Sequence, residues 1–554
     1  MNRQPISGRE AALSALGIFL VALVVRVIFA SQIPFPKPED TAYYVGVARN
    51  LVEGRGLVSD ALWSFQTPPL IFPRPAFEVW LPLPSFLAAI PMLVAGTSFG
   101  AAQWAPIVVG SVVPVLAWRL AADVAAERGL PPGRARTLAS GSGLTTAVYL
   151  PLVLHSALPD STMPFAALAL GACLLMSRIA RDARAGTLRG SGAIRALDLR
   201  LIALGLCIGL AALTRNEAAW IGLAWAIVAW RIPGLERAAR LRIITTVVVV
   251  AGLAFLPWAI RDWLVFGSPL PGQAAANAFS VTGFDIFAWN DPPTVARYLA
   301  VGPSRLVEMR VEGLSHNLLN VLLLPGLPIS VIGLLALPWQ GRGLALRPVV
   351  LVSALVFAVT TIAFPVATTW GTFLHAAGPA HVLLVISALL ALDGGIVRLG
   401  ARQGWTRPVA WLGGTLGVFG SALFSITLLP SFGAGSQASA SYYDELSRRM
   451  AAIGRPLDVS AGPVITDFPI WLAETQRIPA LALPDEPPAD VLDLAATFPG
   501  THLLVIAGEH GRWPGVLDEP GEGVTCFHEL DLGPGSAGES DPLSDTRVFE
   551  IVCP

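Results

Sequence analysis

Two adjacent carboxylates, Glu39 and Asp40, lie in the segment Pro34 to Gly56, PFPKPEDTAYYVGVARNLVEGRG, directly after an apolar run long enough to cross a bilayer. Ionisable groups at a lipid boundary are costly unless hydrated or paired, which makes them functional-site candidates. The plainer alternative is that both sit in water and that Asp40 caps an amphipathic helix in which Tyr43, Tyr44, Val47, Ala48 and Leu51 recur at helical spacing. A carboxylate can take a proton from an acceptor hydroxyl or amine. Arginine holds phosphate by paired hydrogen bonds and stays charged beside lipid. Further groups of this kind follow: Arg74 and Glu78, His155 and Asp160, Arg215 and Glu217, Arg261, and His375. Each also has an ordinary role open to it. His155 could satisfy a carbonyl at a helix end, Asp160 could cap the helix from Ser161, Arg215 and Glu217 could pair locally, and Arg261 could snorkel.

The elements that must position these groups are apolar. Of 554 residues 54% are hydrophobic and only 14% charged, where soluble domains run near a quarter charged. Repeated apolar runs of roughly twenty residues define an α-helical, polytopic membrane protein. The net charge of −1 decides nothing, because the charges are unevenly placed. No basic patch is interleaved with aromatics, so nucleic acid is not an expected partner.

Lys and Arg gather on the cytoplasmic side of membrane proteins. Arg3 and Arg9 place the N-terminus inside, and the run Ala11 to Ile33, with no small-residue cleavage site, reads as a retained span. Residues 34 to about 100 form the first outer loop. The run Val79 to Ala95 is short, holds Pro82, Pro84 and Pro91, and would invert the charge pattern if it crossed. It is read as interfacial or re-entrant. The loops with Arg128, Arg134 and Arg136, with Arg178 to Arg200 (Arg189 and Arg195 between them), with Arg231 to Arg242, with Arg342 and Arg347, and with Arg398 to Arg407 then all lie inside. About eleven spans result, including Thr137 to Leu154 and Asn317 to Trp339, with a long outer loop from about Asp262 to Ser315. Every candidate residue falls on the outer side.

The chain divides at about residue 430. Residues 1–430 are the membrane part. Residues 431–554 read as a small soluble α/β domain outside, with strands near Pro463–Thr466, Ala480–Leu483 and His502–Ala507 and a helix near Asp490–Thr497. Cys526 and Cys553 could pair there, whereas Cys173 and Cys207 lie inside apolar runs.

The order and wording of PEDTAYYVGVARNLVEGRG, FPRPAFEVWLPLPSFLAA, LPDSTMPFAAL, GLAALTRNEAAW and LPWAIRDWLVFGSPLPGQ resemble the GT-C superfamily of integral membrane glycosyltransferases. The nearest likeness is to glycosyltransferase family 39, which includes protein O-mannosyltransferases and lipid A aminoarabinose transferases. The resemblance spans roughly residues 11 to 395. It implies transfer of a sugar from a polyprenyl-phosphate donor to a protein, lipid or glycan acceptor on the extracytoplasmic face of the plasma (inner) membrane, with inversion. The family's catalytic carboxylate falls on Asp40, with Glu39 beside it; related sequences often show the order Asp-Glu, here reversed. A second acidic position falls on Asp160. Phosphate-holding basic positions fall on Arg74, which only a single proline follows, and on Arg215 and Arg261; a polar outer-face position falls on His375. Some relatives use a divalent cation, Mg or Mn, for which Asp40 and Asp160 are possible ligands. The rival is a transporter or flippase of lipid-linked sugar. Transporters usually show repeated halves and mid-membrane polar groups; no internal repeat is visible here, and the polar groups lie at one interface.

Overall fold

The computed structural model describes residues 8–184, 191–405, 409–533 and 541–553, with the side chains of 191–196 outside that description. Arg3, Arg189, Arg407 and the side chain of Arg195 lie outside it. Among the described residues, six helices are long and apolar enough to cross a membrane, and up to eight if two bent pairs each count as one span. The chain is a multi-pass membrane protein. Each apolar run coincides with a helix or helix pair, but the shorter helices Ala218–Trp230 and Arg347–Ala363 fall below spanning length on that test.

Two of the expected single spans are broken. Pro132–Val148 turns by 57° into Leu150–Ala157. Pro151, at the start of the second piece, has no N–H to continue the helical ladder. The expected span Asn317 to Trp339 is bent by 117° between Gly302–Gly326 and Ile329–Gln340. The segment LPGLP at 324–328 accounts for it, because two prolines and a glycine remove two donors and the side-chain support of the turn. Within Val79 to Ala95 the helix covers only Leu83–Ala95, 13 residues. That is about 20 Å of rise, short of the roughly 30 Å hydrocarbon core.

The tail and the first loop share a six-stranded sheet with helices against it, beside a two-stranded ladder of Val58–Ser59 and Arg74–Pro75. The strand order is Ala61–Leu62, Ala480–Ala482, Val464–Thr466, Leu503–Ile506, Arg547–Ile551 and Phe527–Glu529. The first four are parallel and the last two antiparallel to their neighbours. The three strands expected in the tail are present, and its helix runs Pro488–Thr497. Cys526 and Cys553 form a disulfide. An edge strand, Ala61–Leu62, is supplied by the first outer loop, paired in register Ala61 to Ala480. One hydrophobic core holds Tyr43, Trp63 and Phe77 of that loop together with Ile465, Leu481 and Leu504 of the tail. The helix Trp411–Ala452 runs unbroken through residue 430. Loop and tail therefore fold as one body, because neither buries its apolar face alone.

Candidate active site

The helix Glu39–Val52 begins after Pro38, and no side chain caps it. Asp40 is thus free for another partner, and its Oδ2 lies 2.9 Å from His375 Nε2. His375 stands on the turn Leu374–Ala376, just before the helix Gly378–Arg402. Its Nδ1 is hydrogen-bonded with Thr162 Oγ1 at 2.7 Å and lies 3.6 Å from Asp160 Oδ2. His155, placed by the break after Tyr149, brings its own Nδ1 to 3.6 Å from the same oxygen. Asp160 Oδ1 accepts from Thr162 N at 2.7 Å, so Asp160 does cap the helix Thr162–Arg184. Its other oxygen is turned to the two histidines and, like His155 Nδ1, is buried with no hydrogen-bond partner.

Arg215 ties these pieces together. Its guanidinium grips Glu217 at 2.8 and 3.1 Å, then donates to Ser161 Oγ at 2.9 Å and to the Thr372 carbonyl at 3.1 Å. The local ion pair is present, together with contacts to two other segments of the chain. Burial alone would raise the Asp40 carboxyl, but the charge and hydrogen bond of His375 outweigh it and hold it below its usual value. Burial likewise opposes charge on His375, yet Asp40, and then Asp160, raise its pKa above the ordinary histidine value. Asp40 and His375 therefore form a tightly coupled carboxylate–imidazole pair.

Other candidates go elsewhere. Glu39 points away from this cluster, and its Oε1 accepts from Ile470 N of the tail helix Pro469–Gln476 at 3.1 Å. Burial, with the charge of Asp467 added, pushes its carboxyl up to about 8. Arg74 and Glu78 are both fully buried, 3.5 Å apart. Arg74 donates to the carbonyls of Ser64 and Thr67, and Glu78 accepts from Ser64 Oγ. This pair braces the first outer loop. Arg261 lies 3.0 Å from Asp262 and stacks on Trp258 and Phe266. All three act electrostatically on Tyr43, one turn along the helix from Asp40. The helix therefore presents two polar neighbourhoods in succession, the tighter of them at Asp40.

Sequence reasoning left out two contributors. Tyr44 lies four residues after Asp40, on the same helix face, and interacts with Arg215, Asp40 and Asp160. Arg26, inside the first spanning helix and wholly buried, donates to Ser156 Oγ at 2.9 Å and to the Ala147 carbonyl at 3.1 Å. It pins the break that carries His155. A charged residue within an apolar run was its signal.

His155, Asp160 and His375 present ligand atoms all within 4.8 Å of one another. Two imidazoles and a carboxylate, two of their donor atoms unpartnered, fit a divalent cation, and the nitrogen donors suit Mn or Zn better than Mg. Asp40 is not in that set; it is engaged by His375.

This arrangement of membrane helices, first loop and tail domain is the GT-C fold. Among solved structures, the chain is similar to ArnT from Cupriavidus metallidurans bound to undecaprenyl phosphate, at 14% identity and TM-score 0.57, over 97% of each chain. It is also similar to the oligosaccharyltransferase AglB from Archaeoglobus fulgidus, solved with an inhibitory peptide and a dolichol-phosphate. That match has 12% identity and TM-score 0.51, over 89% of this chain and 69% of that one. No family model and no curated protein matches the sequence.

Proposed function

We propose that the protein moves a sugar from a polyprenyl-phosphate donor to an acceptor, with inversion at the anomeric carbon, on the extracytoplasmic face of the plasma membrane. One observation carries this: the GT-C fold brings Asp40, Asp160, His155, His375 and Arg215, from four separate parts of the chain, into one buried cluster at the ends of the membrane helices. Asp40 takes the acceptor proton as the acceptor oxygen or nitrogen bonds to the anomeric carbon. The bond from that carbon to the phosphate oxygen breaks, and polyprenyl phosphate leaves with the electron pair. His375 keeps Asp40 ionised and oriented. Arg215 and, from the neighbouring group, Arg261 face the phosphate charge as it develops. Arg74 and Glu78 hold the loop. His155, Asp160 and His375 would hold a divalent cation such as Mn, which would supply further positive charge for the phosphate. The apolar helix Leu83–Ala95, with Ile90, Leu93 and Val94 exposed, offers a surface for the isoprenoid.

The test is a transfer assay on purified protein with a panel of radiolabelled polyprenyl-phosphate sugars, with Asp40→Asn alongside. Sugar release from one donor, lost in the variant, establishes the reaction and names the donor. Tight binding of polyprenyl phosphate without turnover of any donor, together with lipid flipping in vesicles, would overturn it in favour of a transporter.

A further inference from the structure

Three helices reach the candidate site. Thr162–Arg184 starts beside Asp160, Ala218–Trp230 starts beside Arg215, and Arg347–Ala363 leads into the segment that carries Thr372 and His375. Their opposite ends meet again. There Arg184, Arg231 and Arg347 line one shallow cleft, with Ala180, Val228 and Ile232 as its apolar wall.

Among the described residues none of these three guanidinium groups has a hydrogen-bond or ion-pair partner. No carboxylate lines the cleft. The nearby acids are occupied: Glu127 accepts from Leu344 N and Ala345 N, and Asp182 pairs with Arg200. A fourth cation, Arg240, donates to the Ile232 carbonyl. Arg184 and Arg231 sit at the carboxyl ends of their helices, where the helix dipole favours a cation. Arg347 does not. It is the first residue of its helix, where the dipole disfavours a cation and favours an anion. Unneutralised positive charge from the ends of three helices, against an apolar wall, is the chemistry that holds a phosphate bearing acyl chains.

We infer that this cleft binds the headgroup phosphate of an anionic phospholipid, on the membrane face opposite the candidate active site. The lipid clamps together the far ends of the three helices that carry Asp160, Arg215 and the His375 segment. Binding here does not depend on the proposed transfer reaction.

The test uses the full chain in detergent, by native mass spectrometry with added phosphatidylglycerol or phosphatidylcholine, and by thermal unfolding with each lipid. Phosphatidylglycerol is expected to bind in preference and to raise the unfolding temperature. Each arginine lost is expected to weaken binding about fivefold, so Arg347→Gln alone shows the effect and the triple variant with Arg184→Gln and Arg231→Gln shows it most. Arg347→Lys should keep most of the affinity; if the triple variant does not fold, the single variants carry the test. Equal binding of the two lipids, or unchanged affinity in Arg347→Gln, would overturn the inference. Full displacement of phosphatidylglycerol by millimolar inorganic phosphate would assign the cleft to a soluble anion instead and overturn the lipid.

Discussion

Glu39 and Asp40 are neighbours in sequence with opposite surroundings, and substituting each by its amide separates their roles. Asp40→Asn removes the group that takes the proton and leaves His375, 2.9 Å away, facing a neutral amide. Loss of a positioned general base costs about 10²- to 10⁴-fold, or ~3–5 kcal/mol of barrier. Glu39→Gln should leave the transfer rate nearly unchanged, since the amide oxygen can still accept from Ile470 N and a carboxyl raised to about 8 is largely neutral at pH 7. The assay is initial-rate sugar transfer, with thermal unfolding to show that both variants fold. Full activity in Asp40→Asn, or an equal large loss in Glu39→Gln, would refute the assignment. The same contrast has a pH signature. Glu39 binds its proton more tightly folded than unfolded, so its contribution to stability falls as pH rises from its ordinary value near 4.5 to about 8. Wild type should therefore lose stability relative to Glu39→Gln between about pH 5 and 8; a constant difference in unfolding temperature across that window would count against the raised value.

Arg49 and Glu474 form an ion pair between the helix of Asp40 and the tail, each side chain 7% exposed. Arg49→Met strands Glu474 in that interface and should destabilise by about 3–5 kcal/mol, whereas adding Glu474→Leu should recover much of it; no change in unfolding temperature in the single variant would contradict the burial. Cys526→Ala opens a loop closed by residues 27 apart and should cost ~3.5 kcal/mol on the chain-entropy model, measured by thermal unfolding with the double alanine variant as control. Chelation should depress transfer, and Mn should restore it in wild type but not in Asp160→Asn; activity indifferent to chelator would remove the cation from the reaction.

Much of the molecule was legible in the chain. Apolar runs of spanning length mark helices because lipid leaves backbone groups no partner outside their own segment. The tail strands showed because short apolar runs bounded by proline and glycine have few other ways to fold. Asp160 was legible as both cap and candidate, since capping uses one carboxylate oxygen and leaves the other.

Which of two adjacent acids faces the cluster was not legible. Successive residues on a helix point about 100° apart, so Glu39 and Asp40 must diverge, but only the packing of that helix between the tail and the membrane helices decides which goes where. The same holds for Arg74 and Glu78, whose pairing and complete burial depend on the loop folding over them. The strand Ala61–Leu62 is two residues long, too brief to show periodicity; it exists because the tail sheet offers it an edge. Sequence alone determined the helices, the tail strands and the set of polar groups available for chemistry, because these follow from local apolar patterning and residue type. Tertiary structure alone decided which of those groups meet, because His155, Asp160, Arg215 and His375 are brought to Asp40 by contacts between residues more than a hundred positions away in the chain.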